Sequence, residues 1–260
     1  MPYAFFLDID GTLIDYTFVP AENRLAIAEA RAAGHLVLLN TGRGYRFIPD
    51  RVWQNFTFDG VVCGSGAYAS LSDRILQSRT LPPKEAMADA AYLLSKGQPF
   101  ILEGINQVLV YGTDCRHDYW LPLRTPEELI GKYADAGVQK INLPGQVSEE
   151  VASYLRERYF LLQHPTYAEA SILGCDKGRG MQAVMDALPD GFTSVAIGDS
   201  LNDLEMLEAA DISVAMGNSV PEVKALCTHE TADVRDAGVA VAIRAIMAGR
   251  HLSEKVLKNL

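Results

Sequence analysis

The apolar positions of this chain follow two rhythms. Short continuous apolar runs, Tyr3–Leu7 and His35–Leu39, flank a stretch of helix-like composition, Pro20–Ala33, which Gly34 closes. Strand, helix, strand in that order is a βαβ unit, and unbroken apolar runs are what parallel strands show when helices cover both faces of their sheet. A third run, Gly60–Cys63, precedes the small-residue loop Gly64-Ser65-Gly66. The same rhythm returns in the last third, with strands at Ser194–Ile197 and Ile212–Ala215 and helices at Asp203–Ala209, Val220–Leu226 and Val239–Ala248. The pattern predicts an α/β fold with a doubly wound, mostly parallel, Rossmann-like sheet as its core.

From about Pro82 to Ser171 the character changes. Pro82-Pro83 opens a less regular region with strand patterns at Phe100–Leu102, Gln107–Tyr111, Gln139–Leu143 and Phe160–Gln163. Helical patterns there cover Glu85–Ser95, Pro126–Ala136 and Ser148–Arg158. A smaller α+β domain inserted into the core accounts for this, so the expected division is residues 1–81 and 172–260 for the core and 82–171 for the insertion.

Composition narrows the picture. With 260 residues, 48% apolar and 22% charged, the chain can bury a substantial core. A net charge of -10 with no Lys/Arg cluster repels a phosphodiester backbone, so no nucleic-acid partner is expected, although small phosphates can still bind locally. No run of about 18 apolar residues suggests a membrane span. The first apolar run lacks a basic leader and reads as a buried strand. Cys63, Cys115, Cys175 and Cys227 are scattered, as thiols of a reducing cytosol are, and the expected location is cytoplasmic. The five histidines are dispersed, which supports neither a metal cluster nor a His-based triad.

Ligands of a parallel α/β sheet sit at the carboxyl ends of its strands. After the first run stand Asp8 and Asp10, then Gly11 and Thr12; after the second, Thr41-Gly42-Arg43; after Ser194–Ile197, Gly198-Asp199-Ser200-Leu201-Asn202-Asp203. Lys177-Gly178 opens the helix leading to that last strand. Carboxylates gathered at strand ends repel one another unless a cation lies among them, and Mg²⁺ prefers oxygen ligands while leaving room for water and phosphate. Asp8, Asp10 and Asp199 are therefore the candidate Mg²⁺ site. Lys177 supplies an ammonium for phosphoryl charge, while Thr41 and Asn202 offer neutral hydrogen bonds. Asp8 can attack phosphorus as a nucleophile, with Asp10 placed to protonate the leaving alkoxide and then to activate water. Asp203 has two readings, a carboxylate backing the metal ligands or an acidic helix start favoured by the dipole.

These segments resemble the haloacid dehalogenase-like hydrolases, and within them the Cof-type phosphatases with a type IIB cap. The resemblance rests on four motifs in order: Asp8-Ile9-Asp10-Gly11-Thr12-Leu13, Thr41-Gly42-Arg43, Asp176-Lys177-Gly178 and Gly198-Asp199-Ser200-Leu201-Asn202-Asp203. Val214-Ala215-Met216-Gly217-Asn218 and Asp236-Ala237-Gly238-Val239-Ala240 are similar to the Cof-type carboxyl-terminal pattern. The long gap between the second and third motifs is where type II caps of the superfamily lie. The resemblance implies Mg²⁺ held by the carboxylates of Asp8 and Asp199 and by the Asp10 backbone carbonyl. It also implies phosphate contacts from the Ile9 backbone, Thr41, Gly42, Lys177 and Asn202. The inserted cap would act as a lid that excludes water and sets specificity.

Two departures stand out. Ser65-Gly66-Ala67 occupies the place where Cof-type chains usually read Asn-Gly-Ala, which shortens the polar reach there. Gly180 stands where a helix former such as Ala is common, an exchange that loosens a helix by up to about 1 kcal/mol. The expected activity is Mg²⁺-dependent hydrolysis of a small phosphorylated metabolite, such as a sugar phosphate, through an aspartyl-phosphate on Asp8. The competing expectations are phosphotransfer to another hydroxyl, as in a phosphomutase, and a non-catalytic phosphosugar-binding module.

Overall fold

A computed structural model describes residues 1–15, 18–114, 117–249 and 253–254, the last two by backbone alone; Cys115 lies outside the described residues. The chain forms two compact units, one of residues 1–42, 50–77 and 176–260, the other of residues 43–49 and 78–175. The segment 43–49, directly after Thr41-Gly42, thus packs with the inserted region.

The first unit is built on strands β1 (Tyr3–Leu7), β2 (Leu36–Asn40), β3 (Gly60–Cys63), β4 (Tyr68–Leu71) and β5 (Arg74–Ser78). The second contains β6 (Phe100–Gly104), β7 (Val108–Tyr111), β8 (Trp120–Pro122), β9 (Val138–Pro144), β10 (Tyr159–Gln163) and β11 (Tyr167–Ile172). The chain then returns to the first unit for β12 (Thr193–Gly198), β13 (Ile212–Ala215), β14 (His229–Glu230) and β15 (Ser253–Glu254). The helices, in chain order, are α1 (Ala21–Ala32), α2 (Asp50–Asn55), α3 (Pro83–Ser95), α4 (Glu149–Arg156), α5 (Lys177–Met185), α6 (Leu204–Ala209), α7 (Pro221–Leu226) and α8 (Gly238–Met247).

The first sheet runs β15-β14-β13-β12-β1-β2-β3-β4-β5. All pairings from β14 to β3 are parallel, while β3–β4 and β14–β15 are antiparallel. This is the expected doubly wound α/β core. The central strands β1, β2, β3, β12 and β13 are buried on both faces over most of their length, as their unbroken apolar runs require. Phe6, Leu38, Val62 and Ala196 pack with Met181 and Val184 of α5 and Met206 and Leu207 of α6. On α1 and α8, Ala26, Ile27, Val239 and Ile243 are buried, and Arg244 bridges to Glu29 between the two helices at 2.8 Å. Each fully buried Phe, Leu or Ile stabilises by about 1.5–3 kcal/mol relative to exposure. The chain order reverses at β1, which lies between β2 and β12, and such a switch point opens a crevice at the carboxyl ends of those strands.

The second sheet, β10-β11-β9-β6-β7-β8, is antiparallel except for β7–β8. Its core gathers Leu93, Phe100, Leu102, Leu109, Ile141 and Leu155. Two of its strands, β8 and β11, go beyond the sequence expectation, and one predicted helix is shorter: Pro126–Ala136 forms only a 3₁₀ segment, Pro126–Ile130. Gly131 ends it with φ -119° and ψ -96°, outside the helical region, and a side chain there is absent. No helix among the described residues is long and apolar enough to cross a membrane.

Candidate active site

The loop after β1 is closed by its own backbone. The N–H groups of Leu13 and Ile14 both donate to the Ile9 carbonyl at 3.0 Å, and Gly11 N–H donates to Ile14 O at 2.9 Å. Ile9, Leu13 and Ile14 are fully buried, so apolar anchors fix the loop that carries Asp8 and Asp10. Gly11 adopts φ +82°, and a Cβ there would lie 2.9 Å from Asp199 Cγ. The chemistry therefore requires glycine at this turn twice over, for its backbone angle and for the nearness of a carboxylate.

Lys177 is the first residue of α5, whose N-cap Asp176 accepts from Arg179 N–H at 2.7 Å. Its ammonium donates to Asp8 Oδ1 at 2.6 Å, Asp203 Oδ1 at 2.5 Å and Asn202 Oδ1 at 3.2 Å. Asp203 is fully buried, and its second oxygen accepts from the N–H groups of Asp199 and Ser200, each at 3.0 Å. One aspartate thus fastens the lysine and the Asp199 loop together. Thr12, to which sequence reasoning assigned no role, donates its hydroxyl to Asp199 Oδ1 at 3.0 Å. Asn40, also missed, donates to the Lys177 carbonyl at 3.1 Å and ties the end of β2 to the start of α5. Both are fully buried; Thr12 lies within the first motif and Asn40 directly before the second, the one feature of the sequence that hinted at them.

Asp8, Asp199 and Asp203 each place a carboxylate oxygen within 4.8 Å of the other two. Asp10, half-buried, acts on both Asp8 and Asp199 through its charge. Thr41 and Gly42 are buried at the carboxyl end of β2, next to β1 in the sheet, with Thr41 N–H donating to Val62 O at 2.9 Å. Ser65 donates its N–H to the Thr41 carbonyl at 3.3 Å and has φ +51°, a left-handed conformation that Asn adopts readily. Where the resemblance has Asn, the backbone shows why. The helix-loosening expectation for Gly180 gives way to a packing reason: a Cβ there would meet Val62 Cγ1 and, at 2.9 Å, Gly66 Cα.

The electrostatics call for a cation. Burial raises the Asp8 carboxyl well above the usual range, Lys177 opposes the rise, and the charges of Asp203, Asp199 and Asp10 add to it. Asp199 is likewise raised, by burial first and by Asp203 next, against the pull of the Thr12 hydroxyl. Burial alone would lower Lys177, but Asp203 and Asp8 outweigh it and keep the ammonium protonated. The three clustered carboxylates of Asp8, Asp199 and Asp203, with the charge of Asp10 acting on two of them, carry more negative charge than one ammonium balances, so the residues fit an oxygen-preferring divalent ion. Asp203 already uses one oxygen on Lys177 and the other on backbone N–H groups, which leaves Asp8 and Asp199 the more open donors.

Residues 5–243 match the family model described as haloacid dehalogenase-like hydrolase. The chain belongs to that family. The curated relatives that it matches over most of its length are named as phosphatases. It is 27% identical to the putative phosphatase YkrA of Bacillus subtilis, over 92% of this chain and 95% of YkrA. It is 28% identical to the B. subtilis 5-amino-6-(5-phospho-D-ribitylamino)uracil phosphatase YcsE, over 92% of this chain and 93% of YcsE. Among solved structures, the subclass IIB sugar phosphatase BT4131 superposes with a TM-score of 0.77 at 24% identity, covering 94% of this chain and 99% of that one. This haloacid dehalogenase-like hydrolase therefore shares its fold with that structure.

Proposed function

We propose that this phosphatase hydrolyses small phosphomonoesters, sugar phosphates or phosphorylated polyols among them, with Asp8 as nucleophile and Asp10 as general acid and base. The observation that carries the reading is the 2.6 Å contact from Lys177 to Asp8 inside a cluster of carboxylates. A buried ammonium on one oxygen orients Asp8 and neutralises charge that builds on an incoming phosphoryl group. An Asp8 oxygen forms a bond to phosphorus while the ester P–O bond breaks, and Asp10 delivers its proton to the departing alkoxide. Asp10, now a carboxylate, takes a proton from water as that water attacks phosphorus, releasing phosphate and restoring Asp8. Asn202, Thr41, Gly42 and the Ile9 backbone are the phosphate contacts in this reading. Asp8, Asp199 and Asp10 would hold Mg²⁺, which when bound supplies a Lewis-acid counter-charge for the phosphoryl oxygens. Asp203 positions Lys177 and the Asp199 loop.

Three relatives, YcsE among them, are named as phosphatases of a phosphoribityl compound, which supports a polyol or sugar phosphate as the substrate class. The test is phosphate release from p-nitrophenyl phosphate and from a panel of sugar and polyol phosphates, with and without Mg²⁺, for wild type and Asp8→Asn. Release that requires Mg²⁺ and is lost in Asp8→Asn is expected. Undiminished turnover by Asp8→Asn overturns the mechanism.

A further inference from the structure

The segment 43–49 follows Thr41-Gly42 without a break yet packs in the second unit. A buried carboxylate holds it there. Glu103, at the end of β6 and 1% exposed, accepts from Gly44 N–H at 2.8 Å. The next amide, Tyr45 N–H, donates to Gln139 Oε1 on β9 at 3.2 Å. The approach is close: a Cβ on Gly44 would lie 2.7 Å from Glu103 Cβ and 3.1 Å from its backbone carbon. Side chains continue the attachment, with Phe47 stacked on Trp120 at 5.2 Å and the Arg46 guanidinium 4.7 Å from the Tyr119 ring centre.

A charge-bearing residue is a costly choice for this task if the task is packing alone, because an apolar side chain fills the same space without desolvating a carboxylate. What a carboxylate adds is a strong, directional hold on one backbone N–H. That N–H belongs to Gly44, three residues after Thr41. We propose that Glu103 is a positioning residue for the phosphatase reaction: by gripping Gly44 it fixes the outgoing end of the Thr41-Gly42 loop. The proposal rests on the assignment of Thr41 and Gly42 to phosphate binding. Small misplacements of such contacts are costly, since about 1 Å can slow a reaction 10²-fold.

The charges facing Glu103 are Lys140 of β9, Glu169 of β11 and Arg43 in the segment itself. Lys140 is shared, pairing with Glu169 at 2.7 Å. Burial pushes the Glu103 carboxyl up to about 7, Lys140 and the Gly44 N–H draw it down, Glu169 raises it and Arg43 lowers it. The grip is therefore firmest above neutrality, where the ionised carboxylate is the better acceptor.

The experiment compares wild type with Glu103→Ala, Glu103→Gln and Gly44→Ala, reading kcat and KM from pH 6 to 8 alongside amide exchange of peptides covering 41–49 and the β6–β9 strands. Glu103→Ala and Gly44→Ala should lower kcat/KM about ten-fold at pH 8, the worth of one charged hydrogen bond, and speed exchange in 41–49 alone. Glu103→Gln still offers an acceptor, so it should restore most of the activity while losing the change in rate near pH 7. Faster exchange throughout β6–β9, or faster exchange in 41–49 with unchanged kinetics, overturns the proposal. If wild type releases no phosphate, the assignment of function fails instead, and the exchange data still report whether Glu103 holds Gly44.

Discussion

The ammonium of Lys177 lies 2.6 Å from Asp8 Oδ1, across 169 residues of sequence, and the same nitrogen reaches Asp203 at 2.5 Å. The lysine is 1% exposed, so both carboxylates depend on it for their charge balance. Lys177→Met should therefore destabilise the protein by about 3–5 kcal/mol, the cost of leaving buried charge without its partner. Denaturant unfolding checks this. Turnover should fall about 10²–10³-fold in the same variant, because a preorganised charge at the phosphoryl group is lost.

Asp199 illustrates the opposite balance. Its carboxyl is raised above its ordinary value, so the folded state binds the proton more tightly than the unfolded state does. The stability this group contributes is greatest at low pH and declines as pH rises towards the raised value. Asp199→Asn should leave the metal-free protein about as stable as wild type near pH 4 and raise its melting temperature at pH 8. The variant should also lose the stabilisation that Mg²⁺ confers on wild type, together with the activity.

Gly11→Ala tests the turn between the two aspartates. A side chain at φ +82° costs roughly 1–2 kcal/mol, and its Cβ would press on Asp199 from 2.9 Å. The expected result is a modest fall in stability with a disproportionate fall in Mg²⁺ affinity, readable by titrating activity against Mg²⁺.

Gly180→Ala separates helix propensity from packing. Alanine gains up to about 1 kcal/mol of propensity in α5. Its Cβ would be driven against Val62 and to 2.9 Å from Gly66 Cα, and overpacking a core of this kind costs about 1–3 kcal/mol. The variant should unfold at lower denaturant concentration than wild type; unfolding at higher concentration would show that propensity wins.

Glu103→Gln has a stability signature independent of turnover. The carboxyl is raised from 4.5 to about 7, so its ionisation opposes folding increasingly as pH climbs between those values. The glutamine variant should match wild type near pH 4 and exceed it above pH 7 by on the order of 3 kcal/mol. Urea unfolding at the two pH values checks this.

Much of this was legible in the chain because it depends on neighbours in sequence. The β1, β2 and β13 runs announce a buried parallel sheet, and Ile212–Ala215 was read to the residue. Asp8, Lys177, Asn202 and Asp203, read from three separate motifs, meet at the Lys177 ammonium. Pro126–Ala136 misled because its apolar spacing is helical while Gly131 breaks the turn. The strands β8 and β11 escaped notice because they are recruited by sheet partners rather than by their own propensity.

The sequence by itself determined the α/β core, the chemical inventory at the strand ends and the family, since periodicity and residue order survive without coordinates of any kind. Only the tertiary structure decided how that inventory is wired. Asp203 spends both oxygens on Lys177 and the Asp199 loop, Thr12 steadies Asp199, and Glu103 of the second unit grips Gly44. Each of these links joins residues far apart in sequence or depends on burial. Neither the strength of a buried charge nor the partner it finds is a local property of the chain.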